Sequence, residues 1–389
     1  MDENSLLNQA FLADHRLGKY DLISGVFQDK QGTPLILPAV VECRQRLLSC
    51  HAKNRYLDPE GMAGFNAAAA KLVFGAELID VFCAQLVTLQ APGGTGALRL
   101  AFDFYASSLH GKRLWIGTPG WSNHQQIAVA AGMNTVSFSQ GLDVNEWLGE
   151  LEMAQPYDAV LLQAGAQNPT GVMLEPEEWH KIAELCRRKQ LLPILDNASQ
   201  GIGQGVDKDA EGIRIMAQRC PELIVASSFS KNFTLYNERV GAVSVKTSVP
   251  IFAVQAKEEL RTIIRTNYSS PASFGAEIVA GILNDPVLYQ AWLSDLAKVR
   301  KTLADRRTSI QRLLCRKSSS GSTPRYGLFL QLDISPQVVI DLQQKDGIYL
   351  LSNGRLSLAA LWQQDVEEIA ATIQKRRFSN ELTSLCDGQ

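Results

Sequence analysis

The chain has 389 residues, of which 46% are hydrophobic and 20% charged, fractions that are typical of a globular protein with a large core. Its 38 basic and 40 acidic side chains give a net charge of -2, which excludes the strong field that attracts nucleic acid or anionic lipid. We therefore expect neither nucleic acid nor a membrane as a partner.

The cysteines and histidines indicate neither a disulfide framework nor a metal centre. Seven cysteines are scattered without a Cys-x-x-Cys pair, and five histidines lack the His-x-x-x-His spacing of metal ligands. The N-terminus opens with acids and has no apolar run of a secretory signal, and no segment has the length of a membrane span. We expect reduced thiols, a cytoplasmic location and no bound metal.

The first half of the chain is predicted to alternate between strands and helices. Glycines and prolines make 8–39 irregular, whereas 40–48 and 62–73 have helical patterns. Strands are then predicted at 81–88, 114–116, 159–163, 191–195 and 223–226, with helices between them at 97–108, 144–154, 176–188 and 211–218. Because weakly alternating strands joined by helices form parallel sheets buried on both faces, the sequence predicts an α/β fold with a mostly parallel sheet between helices.

The C-terminal part is predicted to form a second, smaller α/β unit. A long helix at 287–314 is followed by a Ser- and Gly-rich flexible loop at 317–324. Strands are predicted at 328–334, 348–351 and 355–358, with helices at 336–344 and 364–375. We expect an N-terminal arm (1–35) that joins the small domain, a large domain (36–299) and a small C-terminal domain (300–389).

Four polar motifs follow predicted strands, which is where ligands bind in open α/β sheets. Glycines that open a helix after a strand offer N–H groups for a phosphate, and a carboxylate that ends a buried strand needs a cationic partner. Taken singly, each motif also fits a turn or a helix cap. The motifs are Gly93-Gly94-Thr95-Gly96, Asn168-Pro169-Thr170-Gly171, Asp196-Asn197-Ala198-Ser199 and Ser228-Phe229-Ser230-Lys231, the last with Arg239 after it.

Together the motifs supply a phosphate seat, an amide, a carboxylate and an amine nucleophile. Pyridoxal phosphate uses all of them, because it needs a lysine that attacks its aldehyde and an acid that keeps its pyridine nitrogen protonated. A nicotinamide or nucleotide site would leave Lys231 and Asp196 without roles. The sequence therefore predicts a pyridoxal phosphate site in the large domain.

The motifs also resemble a known family, the class I aspartate and aromatic-amino-acid aminotransferases of the fold-type I pyridoxal phosphate enzymes. The resemblance spans nearly the whole chain, from Gly25 to about Ala360. Its most specific part is Ser-Phe-Ser-Lys-Asn-Phe at 228–233 followed by Leu-Tyr-Asn-Glu-Arg-Val-Gly at 235–241. Further matching segments are Gly93–Arg99, Asn168–Gly171, Asp196–Gly201, Arg265–Ser270 and Gly354-Arg355.

The resemblance implies a role for each cofactor contact. Lys231 would bind the cofactor covalently and then carry a proton between the substrate Cα and the cofactor. Asp196 would pair with the pyridine nitrogen, supported by His124, while Trp121 would stack on the ring and Asn168 would bind the phenolic oxygen. The phosphate would be held by Gly93, Gly94, Thr95, Ser228 and Arg239, joined by Tyr56 of the neighbouring subunit.

The resemblance also implies how the substrate is held. Arg355 would bind the α-carboxylate, with Gly25, Trp121 and Asn168 close by, and Arg265 of the neighbour would meet a side-chain carboxylate. The active form would be a homodimer with shared sites. An arginine presents a planar fork that binds a carboxylate through two hydrogen bonds, so two such arginines select dicarboxylic amino acids and oxo acids.

Ser199 departs from the family pattern, which has a tyrosine whose hydroxyl binds the cofactor's phenolic oxygen. Serine is too short to replace that donor directly. Losing a hydrogen bond to the deprotonated form is expected to raise the pKa of the imine that Lys231 forms with the cofactor.

We expect an aminotransferase that moves the amino group of aromatic amino acids and aspartate to 2-oxoglutarate. Arg265 favours dicarboxylates, whereas the Asn-Tyr-Ser-Ser-Pro run at 267–271 is closer to the aromatic members of the family. The alternative is an aspartate-only aminotransferase. A lyase or a non-catalytic descendant of the fold is a more remote alternative, against which the paired arginines and Lys231 argue.

Overall fold

The computed structural model describes residues 3–28, 33–48, 55–108, 113–314 and 324–386, with side chains up to 380 in the last helix. Its helices are α1 (Glu3–Ala13), α2 (Pro38–Leu48), α3 (Ala63–Phe74), α4 (Ala76–Phe82), α5 (Gly93–Ser108), α6 (Asn123–Ala130), α7 (Val144–Leu151), α8 (Pro176–Lys189), α9 (Val206–Arg219), α10 (Pro250–Asn267), α11 (Phe274–Asn284), α12 (Pro286–Leu314), α13 (Pro336–Asp346) and α14 (Val366–Cys386).

The strands are β1 (Tyr20–Asp21), β2 (Leu86–Pro92), β3 (Arg113–Thr118), β4 (Asn134–Ser139), β5 (Ala159–Gln163), β6 (Leu192–Asn197), β7 (Leu223–Ser228), β8 (Val240–Lys246), β9 (Phe329–Gln331), β10 (Ile348–Tyr349) and β11 (Arg355–Ser357). The chain divides into two compact units. One comprises 1–35, 168–172 and 298–389, and the other comprises 36–167 and 173–297.

The larger unit contains a seven-stranded sheet in the order β2-β8-β7-β6-β5-β3-β4. Strands β3 to β7 pair in parallel, whereas β8 is antiparallel to both of its neighbours, β2 and β7. The predicted α/β class with a mostly parallel sheet is confirmed.

The antiparallel strand β8 decides which residues meet at one edge of this sheet. Its register pairs Val240 with Pro92 and Gly241 with Ser228. The amino end of β8 therefore lies beside the carboxyl ends of β2 and β7, and the loops that follow those two strands meet the loop that precedes β8.

The sheet is covered on both faces by apolar side chains. Along β7, Leu223 and Val225 belong to one hydrophobic cluster, and Ile224 and Ala226 belong to another. Successive side chains of a strand point to opposite faces, so the two clusters lie on the two sides of the sheet. This explains why the central strands are apolar throughout, with all six residues of β7 buried.

The smaller unit is built from two short sheets and helices. β1 pairs in parallel with β10, and β9 pairs antiparallel with β11. Helix α1 packs through Leu7, Ala10 and Phe11 on a cluster that includes Tyr349 and Leu351. The N-terminal and C-terminal segments thus share one core.

The structure corrects two predictions from the sequence. Residues 8–13 are helical in α1, because their apolar partners come from the far end of the chain, and 81–82 end helix α4 before β2 begins at Leu86. The predicted flexible loop at 317–324 lies, except for Pro324, outside the described residues. Within the described ranges, no helix is both long and apolar enough to cross a membrane.

Candidate active site

Lys231 follows β7 in a loop that buried aromatic rings hold in place. Phe229 and Phe233 on either side are 1% and 0% exposed, and the ring of Phe233 stacks on Trp292 at 4.7 Å between centroids. The indole N–H of Trp292 also donates a hydrogen bond to the carbonyl of Asn232 at 2.7 Å. The backbone beside half-buried Lys231 is therefore rigid, as a positioned nucleophile requires.

The amino end of helix α5 meets Ser228 and Arg239 at the sheet edge described above. Gly93 has a φ of 77°, and a Cβ on it would lie 2.4 Å from Nη2 of Arg239. A Cβ on Gly94 would lie 2.8 Å from the Cβ of Ser228. Only glycine allows these close approaches, while Thr95 in the first turn is exposed.

Arg239 contributes a positive charge to this edge. Its Nη1 donates to the hydroxyl of Ser230 at 3.2 Å and to the carbonyl of Tyr236 at 3.0 Å, and no described carboxylate pairs with it. Its φ of 54° is unusual for a residue with a side chain. Because the first N–H groups of a helix also attract anions, this edge is a candidate site for an anion such as phosphate, and we call it the anion seat.

Asp196 is a buried carboxylate near the carboxyl end of β6. It is 4% exposed, and its Oδ2 lies 2.7 Å from Nε2 of His124, which is 2% exposed. The ring of His124 in turn packs edge-on against Trp121 at 5.2 Å between centroids. In the described part of the chain, His124 is the one side chain that hydrogen-bonds this carboxylate, so a cationic ligand would offset the cost of its burial.

Ser199 is half-buried in the turn after β6, and its hydroxyl makes no hydrogen bond to any described residue. The following turn is fixed by Asp209, whose carboxylate accepts from the N–H groups of Gly201, Gly203 and Gln204 at 2.7 to 2.8 Å. No sequence motif distinguishes Asp209, because an acid in the first turn of a helix is common at solvent-exposed helix starts.

Arg355 is a buried cation in the smaller unit. It is 4% exposed, its Nη2 donates to the carbonyl of Ile23 at 2.6 Å and its Nη1 to Oδ1 of Asn168 at 3.2 Å. Among the residues that the structure describes, its buried Nε has no hydrogen-bond partner, and no carboxylate forms an ion pair with the guanidinium. Burial lowers the pKa of Arg355 to about 10, opposed by the nearby charge of Glu3. An anionic ligand would satisfy this guanidinium.

Phe329 lies beside Gly25 and Arg355, although no sequence motif marks it as a site residue. The guanidinium carbon of Arg355 lies 4.1 Å from the centroid of the Phe329 ring, a cation–π contact. A Cβ on Gly25 would lie 2.9 Å from the same ring, so glycine is required there. The contact depends on the pairing of β9 with β11, which no local sequence pattern predicts.

Tyr56 and Arg265 contact none of the other predicted site residues. The side chain of Tyr56 is 98% exposed, and the exposed guanidinium of Arg265 donates to the hydroxyl of Ser269. The structure thus brings together Gly93, Gly94, Ser228 and Arg239 in one place, Trp121, His124 and Asp196 in another, and Gly25, Asn168 and Arg355 in a third.

Comparisons with known proteins agree on one family. The model of the family "Aminotransferase class I and II" matches residues 18–373. An aspartate aminotransferase of Haemophilus influenzae is 35% identical over 95% of this chain and 96% of its own length. An aromatic-amino-acid aminotransferase of Pseudomonas aeruginosa is 36% identical over 94% of each chain. The solved structure of an aromatic-amino-acid aminotransferase from Burkholderia pseudomallei, covalently bound to pyridoxal phosphate, has a TM-score of 0.91 at 32% identity and covers 97% of each chain.

Proposed function

Because the chain belongs to the class I and II aminotransferases, we propose that it transfers the amino group of aromatic amino acids and aspartate to 2-oxoglutarate, with pyridoxal phosphate as cofactor. The observation that carries the proposal is the anion seat formed by α5, Ser228 and Arg239, because Ser228 ends β7 only three residues before Lys231. The relatives named for aspartate and for aromatic amino acids support both substrate classes.

The residues of the larger unit fit this cofactor. The anion seat suits its phosphate, and the singly hydrogen-bonded carboxylate of Asp196 suits a protonated pyridine nitrogen. Trp121, beside His124, offers a flat surface for the ring. When bound, the cofactor supplies an electron sink for the bond that breaks at the substrate Cα.

The chain's own residues divide the remaining work. Lys231 holds the cofactor and then moves the proton at the substrate Cα, which is a task for an amine on a rigid loop. Arg355 binds the α-carboxylate through the N–H groups that its protein contacts leave available, and Asn168 orients that guanidinium through its Oδ1. His124 fixes the orientation of the Asp196 carboxylate.

We also propose a homodimer in which Tyr56 and Arg265 serve the neighbour's site. Their exposure, and the lack of any described carboxylate beside Arg265, support this assignment. Arg265 would then bind the side-chain carboxylate of a dicarboxylic substrate. We place the reaction in the cytoplasm, which the free thiols of Cys43, Cys83, Cys186 and Cys220 support.

The test is an absorbance titration of the purified holoenzyme with L-aspartate and, separately, with L-phenylalanine, with no oxo acid present. We expect both amino acids to change the cofactor spectrum and to release one equivalent of their oxo acid per site. A response to aspartate alone would make the enzyme an aspartate-only aminotransferase. A response to neither, with a Lys231→Ala variant as the blank, would contradict the proposed reaction.

A further inference from the structure

One acidic side chain, that of Glu60, connects the loop that carries Tyr56 to helix α10 through ion pairs. The Oε2 of Glu60 lies 3.0 Å from Nζ of Lys257, and its Oε1 lies 3.4 Å from Nε of Arg261. Glu60 is 28% exposed in its side chain and both cations are about 40% exposed, so solvent reaches these ion pairs. Their strength should therefore depend on salt.

The same helix face carries Arg265. Lys257, Arg261 and Arg265 are spaced by four residues on α10 and therefore lie in a row along the helix. Glu60 pairs with the first two cations, while Arg265 contacts the hydroxyl of Ser269 and no described carboxylate. Glu60 therefore connects its loop to α10 at Arg261, one helical turn before Arg265, and Arg265 remains available for a ligand.

Gln90 makes a second connection between the loop and the chain after Arg265. This residue is 1% exposed at the carboxyl end of β2, and its backbone N–H donates to the carbonyl of Glu60 at 3.0 Å. Its side-chain oxygen accepts from the N–H of Met62 at 3.2 Å, and its side-chain nitrogen donates to the carbonyl of Ala272 at 2.6 Å. One buried amide therefore joins both segments.

Gly61 permits this close approach. It has a φ of 81°, and a Cβ on it would lie 2.3 Å from the Cβ of Gln90. Any other residue would push the loop away from β2 and would be strained in this conformation. The hydroxyl of Tyr268, the residue that follows α10, also donates to the carbonyl of Gln90 at 3.4 Å.

We propose that Glu60 and Gln90 are positioning residues that hold Tyr56 and Arg265 as one rigid element. The side chain of Tyr56 is 98% exposed and makes no hydrogen bond to the described residues, so the backbone of its loop sets the region that its hydroxyl can reach. Because the loop is tied to α10, a neighbour receives the phosphate ligand Tyr56 and the carboxylate ligand Arg265 at a fixed spacing. This inference rests on the proposed roles of Tyr56 and Arg265.

The test is the Glu60→Gln variant of the holoenzyme, which removes the charge and keeps the size of the side chain. We expect the dissociation constant of pyridoxal phosphate, measured by absorbance, to rise about 3- to 10-fold, and the difference from wild type to shrink as salt is raised. Amide exchange at 61 and 62 should also become faster.

The matched control is Glu258→Gln. Glu258 pairs with the same Arg261 at 3.1 Å but lies on α10 itself, so its removal leaves the loop fastened. An unchanged dissociation constant and unchanged exchange in Glu60→Gln, or equal changes in Glu258→Gln, would overturn the positioning role.

A double-mutant cycle with Tyr56→Phe separates this proposal from the proposed function. If Glu60 acts through Tyr56, Glu60→Gln has no further effect on cofactor binding in the Tyr56→Phe background. A full additional effect there would overturn the positioning role while leaving Tyr56 as a ligand. A Tyr56→Phe variant that binds the cofactor as wild type does would instead overturn the proposed role of Tyr56, and the cofactor part of this inference with it.

Discussion

Arg355 shows at the scale of a residue how a buried charge supports the proposal of a binding site. Its guanidinium is almost fully buried beside Phe329, with a free Nε and no described carboxylate partner. We predict that Arg355→Lys lowers kcat/KM for aspartate and phenylalanine alike, by about 10- to 100-fold, because lysine has no planar fork. Steady-state kinetics with both substrates will measure this. A loss confined to aspartate would contradict the assignment to the α-carboxylate.

Arg265 should act on one class of substrate only. We predict that Arg265→Leu lowers kcat/KM for aspartate by about 10- to 100-fold and leaves that for phenylalanine within about threefold, since the aromatic ring carries no charge to bind. Arg265→Lys, which keeps the charge without the fork, should give an intermediate loss for aspartate. Equal losses for both substrates would refute a role in specificity.

Ser199 should affect the cofactor itself. Its hydroxyl meets no described partner, and a tyrosine there would reach further. We predict that Ser199→Tyr lowers the midpoint of the cofactor's spectral titration by about one pH unit, because a hydrogen bond to the deprotonated form is gained. Ser199→Ala is the control and should leave the midpoint unchanged. An unshifted midpoint in Ser199→Tyr would show that the hydroxyl does not reach the cofactor.

Asp158, which directly precedes β5, connects that strand with β3 and with the segment after α7, and it gives a prediction at the scale of elements. It is 1% exposed and accepts from the guanidinium of Arg113, the indole of Trp115 and the N–H of Gln155. Burial raises its pKa, but these hydrogen bonds outweigh burial and leave the pKa below its usual value. Its stabilising effect is therefore complete above about pH 4, the value in the unfolded chain, and is lost as the pH falls through the lower folded value.

We predict that Asp158→Ala lowers the free energy of unfolding by about 2–4 kcal/mol near pH 7, and by less at pH 3, because donors are left unpaired. Urea denaturation at both pH values will measure the difference. Glu152→Ala removes an exposed acid and is the control. A loss that is the same at both pH values would mean that packing, rather than charge, explains the effect.

Local sequence patterns predicted the strands and helices whose own residues carry a clear apolar or amphipathic pattern. The apolar strands β5 to β7 and the amphipathic helices α8 and α12 were predicted within a few residues of their bounds. Helix α1 was missed because its apolar residues pack on Tyr349 and Leu351, which lie more than 330 positions away. The glycines and Arg239 of the anion seat lie in sequence motifs. Phe329 and Gln90, in contrast, contact residues that are distant in the sequence, and no short motif predicts those contacts.

At the scale of the whole molecule, the proposed homodimer with shared sites can be tested by mixing two variants that are each impaired towards aspartate. One variant is Lys231→Ala, and the other carries Tyr56→Phe with Arg265→Leu. In a mixed dimer, one site combines an intact Lys231 with an intact Tyr56 and Arg265, so random mixing should restore about one quarter of the wild-type activity towards aspartate. The activity of subunits unfolded and refolded together will measure this. No recovery beyond the two separate variants would contradict sites shared across the interface.

The place of β8 in the sheet also has a consequence for synthesis of the chain. Strand β2 is at the edge of the sheet and pairs with β8, which ends at Lys246 of the 389 residues. The ribosome synthesises the chain from its N-terminus. Strand β2 and the start of α5 therefore have no β8 to pair with until about 150 further residues have been synthesised. The candidate anion seat can therefore be complete only in a nascent chain that already extends beyond β8.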